Sequence, residues 1–268
     1  MKALGIILAG GNSSRMQNLS EKRAISAMSV ACSYRCIDFV LSNMTNSNIQ
    51  TVAVLSQYNA RSLNEHLNSS KWWNFGRKQG GLFLFTPTVT SDNSWWYRGT
   101  ADAMWQNIDF LKKRHEPYVV IASGDCVSKM DFNEILEYHI AKQSDITVVC
   151  AKLPEWEDPK RFGLVKLDME GRIMEFDEKP MVADSDIVST GVYVIRRRTL
   201  IELLEQSNEE GRYNFVTDVL IRQKGLKKIY GYMLDGYWSN IASVESYYRT
   251  NMDFLKKDIR DYFFHQEP

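Results

Sequence analysis

The sequence has no excess of charge of either sign. Its 268 residues contain 33 Lys and Arg and 33 Asp and Glu, so the formal net charge is zero at neutral pH. A chain without an overall positive charge is not predicted to bind nucleic acid or an anionic membrane surface. A small anion stays open as a ligand, because a local pocket needs only a few cations.

Long apolar runs and paired cysteines are also lacking. No apolar run approaches the roughly 20 residues of a membrane helix, and no signal peptide precedes the first apolar run. The cysteines are Cys32, Cys36, Cys126 and Cys150, and no second close pair completes a zinc-type spacing. These absences predict a cytoplasmic protein with reduced, mostly buried thiols. The 44% of hydrophobic residues is ample for the core of one large domain or two small ones.

Apolar runs alternate with helical patterns along the first part of the chain. Strands are predicted at 3–8, 51–55, 118–125 and 146–150, and helices at 37–48, 60–68, from Gly99 onward and at 132–142. This alternation predicts an α/β fold with a mixed, mostly parallel sheet and helices on both faces. The runs at 3–8, 51–55 and 118–123 should be neighbouring central strands. From Phe162 onward, shorter strands predict an antiparallel extension.

Two glycine-containing stretches lie at the ends of predicted strands. Gly10-Gly11 with Arg15 suits a phosphate loop, because glycines let backbone N–H groups approach phosphate oxygens and arginine adds a bidentate cation. The Gly-Lys-Ser/Thr of a Walker loop is missing, and a plain turn stays open. Gly124-Asp125 places a carboxylate where it can hold Mg²⁺ beside a phosphate, although a turn or helix-capping aspartate fits as well.

Two further stretches have both a binding and a structural interpretation. Glu178-Lys179 precedes a proline and could clamp a sugar phosphate, or it could form a solvated charged turn. The segment W-W-Y-R-G-T-A-D-A at 95–103 suits a base and sugar pocket, or its aromatic residues could pack in the core.

An ordered series of motifs indicates a known family. L-A-G-G-x-x-x-R, K-R-A, Y-R-x-I-D-F-x-L-S-N, S-Q-Y, W-Y-R-G-T-A-D-A, S-G-D, F-G, F-x-E-K-P and S-x-G-x-Y-V follow one another. The chain resembles bacterial glucose-1-phosphate adenylyltransferase, also called ADP-glucose pyrophosphorylase, over nearly its whole length. The resemblance implies a Rossmann-like nucleotide-diphospho-sugar transferase fold. It also implies the conversion of ATP and glucose 1-phosphate into ADP-glucose and pyrophosphate for glycogen synthesis.

The resemblance carries roles onto individual residues of this chain. It implies catalytic roles for Arg15 and Asp125 and a Mg²⁺ site at Asp125. The residues that it implies for nucleotide binding are Leu8, Ala9, Gly10, Gly11, Tyr97, Gly99 and Thr100. Those implied for sugar-phosphate binding are Glu178, Lys179, Ser189 and Gly191.

The chain departs from the family pattern where charge is expected. Ile25 stands in K-R-A-I-S-A, where the family has lysine, and Asn240 stands where the family has a second metal-binding aspartate. The loop after Gly11 also differs, at Asn12 and Ser13. Phosphoryl transfer depends mainly on positioning and on stabilisation of phosphate charge, and the loss of one such donor slows a reaction by about 10²–10³. The departures therefore predict weak or absent activity.

That pattern resembles the D-type subunit of bacterial glycogen synthesis, which modulates a catalytic paralogue in a hetero-oligomer, expected to be a tetramer. Because the chain ends at Pro268, residues 1–268 are expected to form a nucleotidyltransferase-like domain without the family's C-terminal β-helix domain. A working sugar-phosphate nucleotidyltransferase and a non-enzymatic module that binds a nucleotide or sugar phosphate are the alternatives.

The family roles require distant parts of the sequence to meet. One cleft at the carboxyl end of the sheet should be lined by Gly11, Arg15, Tyr97, Asp125, Glu178 and Lys179.

Overall fold

The computed structural model describes residues 2–68, 73, 75, 80–88 and 96–264. The strands are β1 (Ala3–Leu8), β2 (Ser29–Val30), β3 (Tyr34–Arg35), β4 (Thr51–Leu55), β5 (Gly81–Phe85), β6 (Tyr118–Ser123), β7 (Cys126–Ser128), β8 (Ile146–Lys152), β9 (Gly163–Leu167), β10 (Ile173–Glu178), β11 (Ile187–Arg196), β12 (Ile229–Met233) and β13 (Trp238–Asn240). The α-helices are α1 (Cys36–Asn46), α2 (Arg61–Leu67), α3 (Thr100–Gln106), α4 (Ile108–Lys112), α5 (Phe132–Ala141), α6 (Arg197–Glu209), α7 (Ile221–Gln223), α8 (Val244–Asp253) and α9 (Lys257–Phe264). Short 3₁₀ segments span Ser14–Ser20, Ile25–Ala27 and Pro159–Arg161, and a π-helical turn spans Phe215–Leu220.

A nine-stranded sheet forms the centre of the molecule. Strand β1 lies between β4 and β6 and is parallel to both, and β5 extends the parallel part beyond β4. On the other side, β11 lies between β6 and β8 and is antiparallel to both. Among the described strands of this sheet, β10 and β11 alone run against the others. The prediction that 3–8, 51–55 and 118–123 are neighbouring central strands is confirmed.

Alternate residues of the central strands pack on opposite faces of the sheet. In β1, Ala3 and Ile7 belong to one hydrophobic core, whereas Leu4 and Ile6 belong to another. Side chains of α1, α2 and α5 cover the first face, and side chains of α3, α4 and α6 cover the second. A sheet that is buried on both faces needs apolar residues at successive positions, which explains the continuous apolar runs of these strands. The predicted α/β class with helices on both faces is confirmed.

The structure differs from two sequence-based expectations. The helix expected from Gly99 onward is divided at Asn107. The side-chain nitrogen of Asn107 donates to the carbonyl of Ala103 at 2.9 Å and to the hydroxyl of Tyr97 at 3.0 Å. Strand β11 is antiparallel as expected, but it lies inside the central sheet and is not an extension. Its apolar residues on both faces allow it to be buried there: Val192 and Val194 belong to the first core, and Tyr193 and Ile195 belong to the second.

The remaining expectations concern cysteines and membrane spans. All four cysteines are free thiols, of which Cys32 is exposed and the other three are buried. None of the helices in the described part of the chain is long and apolar enough to span a membrane.

The buried His139 predicts a pH dependence of stability. Its ring is 1% exposed, Nδ1 lies 2.8 Å from Thr147 Oγ1, and Nε2 has no hydrogen-bond partner among the described residues. Burial, together with the charge of Arg196, lowers the pKa of His139 to about 4, although Asp145 opposes this shift. Below about pH 6.5 the unfolded chain therefore binds a proton that the folded chain does not.

We expect the free energy of unfolding to fall by up to about 3 kcal/mol between pH 7 and pH 4 on account of this group. Urea denaturation at several pH values should show a shallower dependence for His139→Gln than for the unmodified chain. The matched control is His115→Gln, at an exposed histidine, which should keep the original dependence. An unchanged dependence in His139→Gln would contradict the assignment.

Candidate functional site

A cleft of about 630 Å³ opens where the central parallel strands end. Parallel strands of an open α/β sheet have their carboxyl ends at one edge, where such folds bind ligands. The cleft is lined by Leu8, Ala9, Gly10, Gly11, Asn12, Ile25, Ser26, Leu55, Gln57, Tyr58, Tyr97, Arg98, Gly99, Thr100, Ala103, Ser123, Asp125, Glu178, Lys179, Gly191, Tyr193, Asn214, Phe215 and Val216.

Most of the residues predicted for the site line this one cleft. They are Leu8, Ala9, Gly10, Gly11, Ile25, Tyr97, Gly99, Thr100, Asp125, Glu178, Lys179 and Gly191. Lys179 and Asp125 share the cleft although they are far apart in the sequence. The roles assigned to these residues stay predictions. Three predicted site residues, Arg15, Ser189 and Asn240, do not line the cleft, and Trp95 of the W-W-Y-R-G-T-A-D-A segment lies outside the described residues.

The expectation that Arg15 lines this cleft is wrong. Arg15 is exposed and lines a second pocket of about 570 Å³, which it shares with Trp156 and the start of α8. The loop is held away from the cleft at two points. The Ser13 hydroxyl donates to the carbonyl of Ala242 at 2.7 Å, and the Met16 side chain is fully buried in a separate small core.

Backbone hydrogen bonds hold the Gly10-Gly11 loop between two strand ends. The amide of Ala9 donates to the carbonyl of Leu55 at 2.8 Å, and the amide of Gly124 donates to the carbonyl of Leu8 at 2.9 Å. A Cβ added to Gly11 would meet no heavy atom within 4 Å. The backbone of Gly11 therefore faces open space from which a ligand can approach it.

The wall formed by residues 97–100 is held by two other segments. The side chain of Gln57 forms two hydrogen bonds with the backbone of Tyr97. Its oxygen accepts from the amide of Tyr97 at 2.6 Å, and its nitrogen donates to the carbonyl of Tyr97 at 3.2 Å. The carbonyl of Tyr213 accepts from the amides of Ala101 and Asp102 at 2.8 and 3.2 Å, and so satisfies the first turn of α3. Gly99 permits this approach, because a Cβ there would lie 2.3 Å from that carbonyl oxygen.

Sequence reasoning missed part of this wall. The motif S-Q-Y contains Gln57 but suggested no role for it. Asn214, Phe215 and Val216 also line the cleft, and the Asn214 side chain caps the following π-helical turn by accepting from Val216 at 2.9 Å and Thr217 at 3.1 Å. An asparagine before an apolar run was the available signal, and it predicts a cap but not a cleft.

Asp125 is the candidate metal ligand. Its Oδ1 accepts from the Ser123 hydroxyl at 2.5 Å, and its backbone carbonyl accepts from the amide of Ile241 at 2.9 Å. The pairing of β7 with β13 brings Asn240 opposite Cys126. The side-chain oxygen of Asn240 accepts from the amide of Ala242 at 3.0 Å, which uses one of its two lone pairs.

No group of three or more acidic, histidine or cysteine side chains in the described ranges could hold a metal ion. Among the described residues that line the cleft, the carboxylates are those of Asp125 and Glu178, and because Glu178 lies beside the Lys179 ammonium, Asp125 is the candidate for the metal. This donor set fits Mg²⁺, which is often bound by one or two carboxylates while phosphates and water complete its octahedron.

Glu178 and Lys179 form the other end of the cleft. Lys179 adopts a left-handed conformation with φ 50°, and its amide donates to the carbonyl of Phe162 at 3.0 Å. Its ammonium lies 3.4 Å from Glu178 Oε1, and its side chain is 61% exposed. Because most of the Lys179 side chain is exposed to solvent, its ammonium is accessible to a ligand.

Buried polar groups lie behind this end of the cleft. The Ser189 hydroxyl accepts from the amide of Gly191 at 3.3 Å and donates to the hydroxyl of Tyr193 at 3.2 Å. Burial raises the pKa of Tyr193, and the charge of Glu178 adds to this shift. Ser189 therefore supports the wall of the cleft and does not line it.

Cations are scarce in the cleft. Among the described residues that line it, the cationic side chains are those of Arg98 and Lys179. The Arg98 guanidinium is already paired: it donates to Asp102 Oδ1 at 2.8 Å and to the Tyr213 hydroxyl at 2.7 Å. Ile25 is 4% exposed and packs in the same small core as Met16. The part of the cleft beside Ile25 therefore has an apolar side chain where a cation was expected.

Comparison with known proteins agrees with the motif series. A model of the nucleotidyl transferase family matches residues 4–257. The glucose-1-phosphate adenylyltransferase of Desulfitobacterium hafniense strain Y51 is 38% identical over 267 residues, which cover 98% of this chain and 67% of that protein. Those of Thermosipho africanus and Geobacillus stearothermophilus are 38% and 37% identical, covering 98% and 96% of this chain and 64% and 67% of theirs. The chain thus spans about two thirds of the length of these relatives, and the resemblance predicted from the motifs is confirmed.

The close approach at Gly99 generates a prediction about stability. Gly99→Ala places a Cβ against the backbone of Tyr213, which cannot yield as a side chain would. We expect a loss of about 1–3 kcal/mol in the free energy of unfolding, as for other overpacking changes, measured by urea denaturation. Gly10→Ala is the control, because its Cβ would meet its nearest neighbour at 3.4 Å. Equal stabilities of the two variants would contradict the role given to Gly99.

Proposed function

The chain belongs to the nucleotidyl transferase family, and from this premise we propose that it is a glucose-1-phosphate adenylyltransferase-related subunit of glycogen synthesis. In the proposed reaction, a phosphate oxygen of glucose 1-phosphate attacks the α-phosphorus of ATP. The bond from that phosphorus to the bridging oxygen breaks, pyrophosphate leaves and ADP-glucose forms. The identity of about 38% to adenylyltransferases along nearly the whole chain supports this assignment.

The nucleotide is proposed to bind at the Gly10-Gly11 side of the cleft. The open backbone of Gly11 suits a phosphate, because unpaired N–H groups bind anions without a side chain. The wall at Tyr97, Gly99 and Thr100 offers an aromatic ring and a hydroxyl beside this loop. The Thr100 hydroxyl already accepts from the amide of Phe215 at 2.9 Å, which fixes its orientation.

The sugar phosphate is proposed to bind at the Glu178-Lys179 end. The exposed Lys179 ammonium supplies the cation for the phosphate, and the Glu178 carboxylate accepts from sugar hydroxyls. Mg²⁺ held by Asp125 and by phosphates would stabilise the charge that develops on the phosphate oxygens. Asp125 lines the same cleft. In the sequence it follows the residues proposed for the nucleotide and precedes those proposed for the sugar phosphate.

We further propose that the chain is catalytically impaired and acts as a regulatory partner of a catalytic paralogue, in a hetero-oligomer that we expect to be a tetramer. The observation that carries this proposal is the shortage of charge around the expected phosphates. Ile25 lines the cleft without a cation, Arg15 faces another pocket, and the uncharged Asn240 does not line the cleft. Phosphoryl transfer depends on such charges more than on any covalent chemistry.

A second candidate is a working nucleotidyltransferase, and the presence of Asp125 and Lys179 in one cleft favours it. These two residues supply a metal carboxylate and a cation. The two candidates differ in turnover by the chain alone. A module that binds the same ligands without chemistry would show binding, no turnover and no effect on a partner.

The test is pyrophosphate release by the full chain with ATP, Mg²⁺ and glucose 1-phosphate, without any catalytic partner. We expect turnover far below the usual enzyme range of roughly 1–10³ per second. The double change Ile25→Lys with Asn240→Asp should raise it, because it adds a cation beside the expected phosphates and a carboxylate at the position where the resemblance implies the second metal ligand. Each charge of this kind is worth on the order of 10²–10³ in rate, and the lysine stem can follow apolar surface while its ammonium reaches the cleft.

The matched control is Ile25→Met with Asn240→Asp, which keeps an apolar residue of similar size at position 25 and should recover less activity. Addition of the unmodified chain to a catalytic adenylyltransferase should change that enzyme's kinetics. Turnover by the unmodified chain within the usual enzyme range would refute the regulatory proposal and support the second candidate.

A further inference from the structure

The second pocket, of about 570 Å³, has no role in the function proposed above. It lies beside the start of α8, and none of the residues that line it also lines the cleft. Its lining residues are Arg15, Gln17, Trp156, Glu157, Asp158, Arg161, Ser243, Val244, Glu245, Ser246 and Tyr248. The volume lies within the range of roughly 300–1,000 Å³ that is usual for small-ligand sites.

Two exposed aromatic side chains belong to this second pocket. Trp156 is 43% exposed and Tyr248 is 62% exposed. The guanidinium carbon of Arg249 lies 4.7 Å from the centre of the Trp156 ring, and the same guanidinium donates to Glu245 Oε1 at 2.9 Å. A cation over the face of an aromatic ring attracts it and so favours one orientation of the ring. The pocket thus presents flat apolar surfaces that a ligand can cover.

The pocket also contains a buried ion pair. The Arg161 guanidinium donates to Glu157 Oε1, and the two side chains are 10% and 6% exposed. Nε of Arg161 has no hydrogen-bond partner among the described residues. Burial raises the pKa of Glu157, although the charge of Arg161 opposes this shift. Because removing two charges from water is costly, a buried pair contributes little to stability, and its place in the wall of a pocket suits ligand binding better.

The charges in this pocket nearly cancel. The cationic side chains among its lining residues are those of Arg15 and Arg161, and the anionic ones are those of Glu157, Asp158 and Glu245. An anionic ligand would meet three carboxylates, and a cationic ligand would meet two guanidinium groups. A neutral ligand with several hydroxyl groups avoids both conflicts. Each hydroxyl donates one hydrogen bond and accepts two, so it can pair with a carboxylate and with a guanidinium group.

We propose that the second pocket binds a neutral oligosaccharide, whose rings pack on Trp156 and Tyr248. The exposed side chains of Asp158 and Glu245 would accept from its hydroxyl groups, and the exposed Arg15 would donate to them. A pyranose ring suits these groups because its faces carry C–H bonds and its hydroxyl groups lie around its edge. The site rests on the chemistry of this pocket, whereas the choice of linked glucose units for the test rests on the proposed function.

The first test is calorimetric titration of the full chain with maltoheptaose. We expect saturable binding that Trp156→Ala weakens about tenfold or more, because an aromatic anchor is lost. Trp156→Phe keeps a flat ring and should keep most of the affinity. The matched control is Tyr34→Ala, at an aromatic residue that is also 43% exposed and lines neither pocket. Absence of binding to the unmodified chain, or equal affinities of Trp156→Ala and Tyr34→Ala, would overturn the proposal.

The second test locates the oligosaccharide. Among the described residues that line this pocket, Trp156 is the tryptophan. Maltoheptaose should therefore change the tryptophan fluorescence of the unmodified chain, and Trp156→Phe should bind maltoheptaose without that change. The same fluorescence change in both proteins would show that the oligosaccharide binds elsewhere and would overturn the proposal.

The third test separates this site from the cleft. Lys179→Ala should leave the affinity for maltoheptaose unchanged, because Lys179 lines the cleft and not the second pocket. If ADP-glucose does not bind to the unmodified chain, the proposed function fails, and the titrations with maltoheptaose still decide the role of the second pocket. Loss of maltoheptaose binding in Lys179→Ala would place the oligosaccharide in the cleft and would overturn the proposal.

Discussion

The parallel pairing of β1 with both β4 and β6 is the constraint on which the cleft depends. It places three strand ends at one edge of the sheet, with Leu8 opposite both Leu55 and Ser123. The amides of Ala9 and Gly124 then continue the hydrogen bonding one residue past the strands. Loops that are distant in sequence therefore leave the sheet side by side. The cleft lies between these loops, at the edge where the strands end.

Much of this arrangement follows from the sequence, because it depends on local pattern and on motif order. Apolar runs on both faces predict buried strands, and strand ends predict where loops with Gly11 and Asp125 meet. The position of Arg15 does not follow, because it depends on the bond from Ser13 to the carbonyl of Ala242, a contact between residues 229 positions apart. A contact between residues this far apart cannot be read from local pattern, and it can override local propensity.

The two ends of the cleft differ in the groups that they offer to a ligand. At the end proposed to bind the sugar phosphate, the backbone conformation of Lys179 and the buried Ser189 support groups that a ligand can contact. At the opposite end, Ile25 contributes to a small core that also contains Val127 and Ile241. Position 25, where the resemblance implies a lysine, is thus occupied by a side chain that packs in this core. Recognition and catalysis can separate in this way, because binding needs shape and a few contacts whereas phosphoryl transfer needs concentrated charge.

We propose that the cleft binds the nucleotide sugar without efficient chemistry. Calorimetric titration of the full chain with ADP-glucose in the presence of Mg²⁺ tests this binding. The account predicts saturable binding to one site per chain, weakened about tenfold or more by Lys179→Ala because a charged contact is lost. Lys152→Ala, at an exposed lysine that pairs with Asp186 outside the cleft, should leave the affinity unchanged. Absence of binding to the unmodified chain, or equal affinities in the two variants, would contradict the account.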